Sequence, residues 1–376
     1  MNLFIFSALF LLVFALLNLY ISRRLIRRLD YKKRIKHGLN IFLVLNFLGI
    51  VGYLFGRYFV NIPSWLYVVF SVPIGVVFLL FCTALFYDFF HLFIMKIPIS
   101  KERRGFFKRS LDITSLSVAF ALSVEAMREA REIVLEKVDI HIDKLKTPYT
   151  LIQLSDVHIG GLIGQSFIQE VVDRCNELSP DLVVITGDLV DIDITKAAPM
   201  LDELKKLKTR LGVYYIVGNH EYFHGIEKIL ENVKMRGIRV LENESVYVGH
   251  DQNGFNLAGV YDLFGYRMKS YEPDLSKALQ NTQVDSPTVL LAHQPKYIEE
   301  VTSGVDLMLS GHTHGGQIYP FRFLVSLNQP YISGLHQHRQ NLQIYVSRGT
   351  GFWGPPMRLG ASSEITYIKL LPKQIT

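Results

Sequence analysis

Residues 151–160 read LIQLSDVHIG, an apolar run that passes at once into Ser155, Asp156, His158 and a glycine. A short apolar run cut off by polar residues and glycine is a buried strand ending in a loop. The same pattern recurs along the chain. The run at 182–185 leads into TGDLVD at 186–191, and the run at 214–217 into GNHE at 218–221. Residues 289–291 lead to His293, and residues 307–309 to GHTHGG at 311–316. In open α/β sheets, ligands bind beyond the carboxyl ends of strands. Five strand ends that each carry Asp, Asn or His therefore imply one shared site.

Working outward, further strand-like runs lie at 136–142, 238–241, 255–260, 342–347 and 364–370, with helical patterns at 164–178 and 195–207. Strands alternating with helices predict an α/β domain, a central sheet covered by helices. The domain is expected over 149–376, preceded by a linking segment and first strand over 129–148, with Pro148 at its end. No internal repeat or low-complexity tract interrupts it.

The first 128 residues are of a different kind. Of 376 residues, the chain has 40 Lys and Arg against 34 Asp and Glu, a net +6, but the charge is uneven. Residues 1–128 hold 16 basic and 5 acidic residues, +11; the remaining 24 and 29 give −5. The part that would have to hold nucleic acid is therefore acidic, which argues against a nucleic-acid partner. Two cysteines, Cys82 and Cys175, rule out a disulfide scaffold and a cysteine-based metal site. Apolar runs near 2–20, 39–56 and 65–87 are each close to the roughly 20 residues that cross a bilayer. The first is followed by Arg23, Arg24, Arg27 and Arg28 and no cleavage site, unlike a signal peptide. Basic residues cluster again from Lys96 to Arg109, so both basic segments are expected on the cytoplasmic side. The segment 111–127 is ambiguous. Its charge-free core, Ile113 to Val124, has 12 residues, about 18 Å of helix against a hydrocarbon core of about 30 Å. Thr114, Ser115, Ser117 and Ser123 make it polar as well. It reads as an interfacial amphipathic helix, with a short fourth span as the alternative. The choice sets the side of the domain: three spans leave it cytoplasmic at the plasma (inner) membrane, and four place it outside.

The strand-end residues combine imidazole, carboxylate and amide oxygen with no thiolate. This set suits two divalent metal ions of the Mn, Fe, Zn or Ni type, with manganese the expected choice. SDVHIG, GDLVD, GNHE, the histidine before Gln294-Pro295, and GHTHGGQ, in this order over 155–317, resemble the calcineurin-like metallophosphoesterases. The resemblance implies that family's β-sandwich flanked by helices, here preceded by three or four transmembrane helices. It implies that Asp156, His158 and His314 hold one metal, and that Asn219, His293 and His312 hold the other. Asp188 would bridge both. His220 would stand over the phosphate as a proton donor or phosphate-binding group, and Asp191 would orient it. Arg348, Arg358 and Asp262, in loops after strands, are candidate substrate contacts.

The membrane region, GHTHGGQIYPF and the closing SRGTGFWGPPMRLG are similar to the transmembrane-anchored branch of that family. Some enzymes of that kind cleave UDP-2,3-diacylglucosamine to lipid X and UMP in lipid A synthesis. Ser362-Ser363-Glu364-Ile365 departs from the Pro-Pro-Glu-Ile usual there. The expected activity is metal-dependent hydrolysis of a lipid-linked phosphoester or pyrophosphate, UDP-2,3-diacylglucosamine first. A general or cyclic-nucleotide phosphodiesterase and an outward-facing envelope phosphatase are the alternatives. A non-catalytic membrane scaffold would show lost ligand positions, and every such position is filled.

Overall fold

The computed structural model describes residues 3–58, 62–250 and 253–373. The chain divides into two compact units, residues 1–129 with 354–359, and residues 130–353 with 360–376.

The first unit is helical. Helix α1 (Leu3–Tyr20) runs on through a wider π turn (Ile21–Leu25) and a tighter 3-10 turn (Ile26–Arg28), followed by α2 (Lys33–Tyr58), α3 (Ser64–Lys96) and α4 (Lys101–Glu129). All four are long and apolar enough to cross a membrane. Their polarity is inverted relative to a water-soluble protein. Phe4, Leu45, Trp65, Phe86 and Phe120 point outward, while Asn46, Ser71, Thr83 and Ser123 are buried. Each of these buried polar groups donates to a carbonyl of its own helix, three or four residues back. A chain that has hydrocarbon as its solvent must satisfy polar groups internally in this way.

The segment 111–127 is the second half of α4, a helix of 29 residues. Asp112, Ser115, Ala119, Ser123 and Ala126 are buried along one face, and Ile113, Val118, Phe120 and Val124 are exposed along the other. An interfacial helix turns its polar face to water. Here the polar and small face packs inward, because small side chains let helices approach closely. Two carboxylates fix the level of the packing. Asp88 of α3 accepts from Tyr20 (3.2 Å) and from Arg24 Nε (2.9 Å), and pairs with Arg28. Asp112 of α4 accepts from the Asp30 backbone (2.6 Å), Tyr87 (2.8 Å) and Lys108 (2.9 Å).

The second unit contains two six-stranded sheets. In the first, β1 (Ile133–Ile142) pairs with β12 (Ser363–Pro372), then follow β2 (Tyr149–Leu154), β3 (Leu182–Thr186), β4 (Val213–Ile216) and β5 (Arg239–Val240). In the second, β10 (Gly334–Arg339) pairs with β11 (Leu342–Val346). Then come β9 (Leu307–Ser310), β8 (Thr288–Leu291), β7 (Phe255–Gly259) and β6 (Glu244–Val248). Side chains alternate across the first sheet. Leu182 and Val184 join Leu257, Leu291 and Leu309 between the sheets. Val183 and Ile185 face α5 (Gln165–Glu177), α6 (Ile194–Leu204) and α8 (Ile226–Lys234). A third cluster, with Tyr297 and Ile298, covers the outer face of the second sheet. This is a β-sandwich flanked by helices, α/β in class.

Each strand expected from the sequence is present, with ends shifted by at most three residues. Strands β6 and β10 were not foreseen. Both are edge strands: β10 alternates half-buried with exposed residues, and β6 is mostly half-buried. An edge strand buries too little to read as an apolar run.

Removing the Asp88 carboxylate would strand two guanidinium groups at the helix ends. Asp88→Ala should lower the unfolding free energy of the detergent-solubilised protein by about 2 kcal/mol, a moderate cost because Arg24 stays 39% exposed. Denaturant titration checks this, and Asp88→Ala with Arg24→Ala and Arg28→Ala together should recover part of the loss.

Candidate metal centre

The carboxyl ends of β2, β3, β4, β8 and β9 meet at one place. Asp156, His158 and His314 offer ligand atoms within 4.8 Å of one another, and so do Asp188, His293 and His312. His158 also groups with Asp191 and His220 within the same span. His158 Nε2 faces His314 Nε2 at 3.0 Å, and His314 Nε2 is 3.4 Å from Asp156. His293 Nε2 is 3.2 Å from Asp188, and the His293 and His312 rings lie 5.1 Å apart.

The backbone at these positions is unusual. Asp156, His158, Asp188, His312 and His314 all have φ between 49° and 69°. Left-handed backbone costs an L-residue roughly 1–3 kcal/mol and is concentrated at functional sites. Asp and His tolerate it better than bulkier or branched residues. Two glycines permit the convergence. A Cβ at Gly187 (φ +90°) would lie 2.6 Å from His293 Nδ1, and one at Gly311 would lie 2.2 Å from an Asp156 oxygen.

The residues fit divalent cations. The Asn219 Oδ1 atom is buried and, among the described residues, lacks a hydrogen-bond partner. Such atoms are costly unless something binds them. His293 Nδ1 donates to the Thr186 carbonyl (2.7 Å), which turns Nε2 into the site. Burial pushes His158 down to about 3 and His312 down to about 4, so both keep a free lone pair at neutral pH. Burial alone would also lower His293, but the Asp188 carboxylate outweighs it and holds His293 well above the usual range. Burial would raise Asp188, but His293 and His220 outweigh it and hold its carboxyl well below the usual range. The seven groups Asp156, His158, Asp188, Asn219, His293, His312 and His314 could thus hold two cations with Asp188 between them.

His220 stands beside this cluster. Its Nδ1 is 2.7 Å from Asp191 Oδ1 and its Nε2 is 3.8 Å from Asp188. The other candidates are placed less uniformly. Asp262 is buried, accepts from Phe264 N (2.8 Å) and Gln294 (2.9 Å), and is pushed up to about 6 by burial. Arg348 is engaged by Glu364 (2.5 Å) and Glu136 (2.7 Å), an ion-pair clamp on β1 and β12. Arg358 groups with the helical unit, where its backbone N–H donates to Ala126 (2.8 Å). Glu221 and His224 take parts that sequence reading did not assign. Buried Glu221 accepts from four backbone amides, those of Asp188, Leu189, Val190 and Gly218. His224 Nε2 lies 3.2 Å from Asp191.

A cluster of imidazole, carboxylate and amide ligands, with a further imidazole poised on a carboxylate, suits metal-dependent hydrolysis of phosphoric esters. Residues 149–316 match the family model described as calcineurin-like phosphoesterase. The chain is 40% identical over 374 residues to a metallophosphoesterase of Helicobacter pylori, covering 98% of each chain. It is 34% identical over 379 residues to one of Campylobacter jejuni, covering 98% of this chain and 99% of that one. It is 37% identical over 247 residues to a transmembrane protein with metallophosphoesterase domain of Danio rerio, covering 62% of this chain and 56% of that one. The chain belongs to the calcineurin-like metallophosphoesterases and is a membrane protein of that family.

Metal loading should depend on pH with a defined sign. The Asp188 carboxylate favours the protonated form of His293, so cation binding at Nε2 should release protons and tighten as pH rises. Isothermal titration in buffers of differing ionisation enthalpy measures the release. For the metal-free fold, His158 and His312 are neutral where the unfolded chain, below about pH 6.5, would protonate. Their contribution to stability is full above that pH and is lost as pH falls toward 4, while the contribution of His293 runs the other way. Elemental analysis should find two cations per chain, and fewer in Asp188→Ala.

Proposed function

We propose that the protein hydrolyses a lipid-linked phosphoester or pyrophosphate at the membrane surface, using two divalent cations held by Asp156, His158, His314, Asn219, His293, His312 and Asp188. The observation that carries the lipid assignment is an apolar rim around His220. The rings of Phe223 and Trp353 stand 6.0 and 5.9 Å from the His220 ring, and Phe264 packs on Phe223 at 4.8 Å. Phe223 is 59% exposed and Trp353 42%. Phe352, by contrast, is buried in the core. Gln317 pins Trp353 by hydrogen bonds to its carbonyl (2.8 Å) and from its amide (3.0 Å). Beyond Gln317, Tyr319, Phe321, Phe323, Leu324 and Leu327 are exposed as well. Apolar surface next to a polar reaction centre suits a substrate with both characters.

Bound cations would supply a hydroxide nucleophile and neutralise charge on the phosphoryl oxygens. The protein's own groups do the rest. His220 donates a proton from Nε2 to the departing oxygen, and Asp191 holds Nδ1 so that Nε2 faces the reaction centre. Asp188 Oδ1 accepts the His220 backbone N–H (2.8 Å), fixing the donor relative to the ligand cluster.

The side of the membrane selects among lipid substrates. UDP-2,3-diacylglucosamine is made in the cytoplasm and requires a cytoplasmic domain. The inward-packed polar face of α4 supports a fourth crossing, and with the basic segments 23–36 and 96–109 inside, four crossings would leave the domain outside. An envelope lipid phosphate then becomes the leading substrate, and the nucleotide lipid the second. A reporter fused after Thr376 decides: labelling from outside removes UDP-2,3-diacylglucosamine, and protection from labelling restores it.

Trp353→Ser should raise KM severalfold for a long-chain phosphatidyl or nucleotide-lipid substrate and leave bis(p-nitrophenyl) phosphate hydrolysis within about twofold. Equal effects on both substrates would remove the lipid assignment. His220→Ala should abolish most of kcat on either.

A further inference from the structure

We infer that His224 is a positioning residue for the reaction, acting through Asp191 on His220. The inference rests on the role proposed above for His220. Both histidines lie on α7 (Asn219–His224), four residues apart and so on one face of the helix. They meet the same oxygen: Asp191 Oδ1 is 2.7 Å from His220 Nδ1 and 3.2 Å from His224 Nε2. Gly225, in the left-handed conformation (φ +89°), ends the helix directly after His224. Each donor added to a carboxylate narrows the χ angles open to it. Two donors on one oxygen, both from one rigid turn, fix its orientation. His224 therefore keeps Asp191 aimed at Nδ1 of His220, and Nε2 of His220 stays turned toward Asp188. Its side chain is 23% exposed, against 12% for His220. It stands at the outer end of this three-residue chain, away from the reacting atoms.

The test is a double-mutant cycle on the detergent-solubilised, manganese-loaded full chain. The substrates are diphenyl phosphate, with a poor leaving group, and bis(p-nitrophenyl) phosphate, with a good one. His224→Ala should lower kcat on diphenyl phosphate about tenfold, the worth of one hydrogen bond, with KM and metal content unchanged. The loss should be smaller on bis(p-nitrophenyl) phosphate, because its leaving group needs less help from an acid. His224→Gln keeps an N–H donor near Asp191 and should recover most of the rate. In an Asp191→Ala background, His224→Ala should cost nothing further. In the metal-free protein, the imidazole N–H resonance of His220 should shift on His224→Ala, a readout independent of turnover. An undiminished rate in His224→Ala, or the same loss with and without Asp191, overturns the inference and leaves the role of His220 intact. Full activity in His220→Ala would overturn the underlying role instead.

Discussion

Four backbone amides converge on the buried carboxylate of Glu221, and the site is built around that convergence. The Gly218 and Leu189 amides lie at 2.7 Å, Val190 at 3.1 Å and Asp188 at 3.2 Å. Burial raises the pKa of Glu221, and the nearby Asp188 carboxylate raises it further, while amides of the two loops pull the other way. Charge-assisted bonds of this kind are the strong ones, and a carboxylate this deep is tolerable only with them. The loops that follow β3 and β4 are thereby joined by one side chain. Asp188, Asn219 and His220 become parts of a single rigid body, although they come from different strand ends.

That rigidity explains how the site holds a set of groups that repel or strain one another. Five candidate ligands occupy left-handed backbone, and two imidazole nitrogens face each other at 3.0 Å. Neither feature would survive in a loop free to relax. The strand ends supply the stiffness, since β2 and β3 are buried on both faces and β4 ends on buried Tyr215 and Ile216. The arrangement is preorganised for cations. The histidines burial keeps neutral are ready ligands, and the one Asp188 keeps protonated gives up its proton on binding.

Much of this was legible in the sequence, and the parts that were not share a physical reason. The central strands read clearly because burial on both faces makes them continuous apolar runs, each ending on a ligand type. Strands β6 and β10 were hidden because an edge needs only partial burial. Glu221 was visible as the last letter of GNHE, but sequence carries no sign that its carboxylate faces four amides. His224 gave only the i, i+4 spacing from His220, and its partner lies 33 residues back. The ion pairs of Arg348 could not be read in advance, because its two acidic partners, Glu136 and Glu364, come from opposite ends of the domain. Segment 111–127 left an interfacial helix and a short fourth span both open, because a count of uncharged residues treats Asp112 as a boundary. In the structure Asp112 is satisfied three ways inside the helical unit, which removes the cost that the count assumes.

The two units obey opposite solvents, and the contrast bears on substrate. Exposed Phe86 or Phe120 in the helical unit needs no explanation, because hydrocarbon is the medium there. The same exposure at Phe223, Trp353 and Phe323 occurs in a unit whose cores are otherwise closed. In water that surface would tend to collapse or to associate. Gln317 instead holds Trp353 by its backbone, so the ring beside His220 is kept in place and not buried. On the function proposed above, this fixed ring beside His220 would meet an apolar group on the substrate. The polar centre reads the phosphate, which many substrates share. Discrimination among them therefore has to come from the rim and from the side of the membrane on which α4 ends.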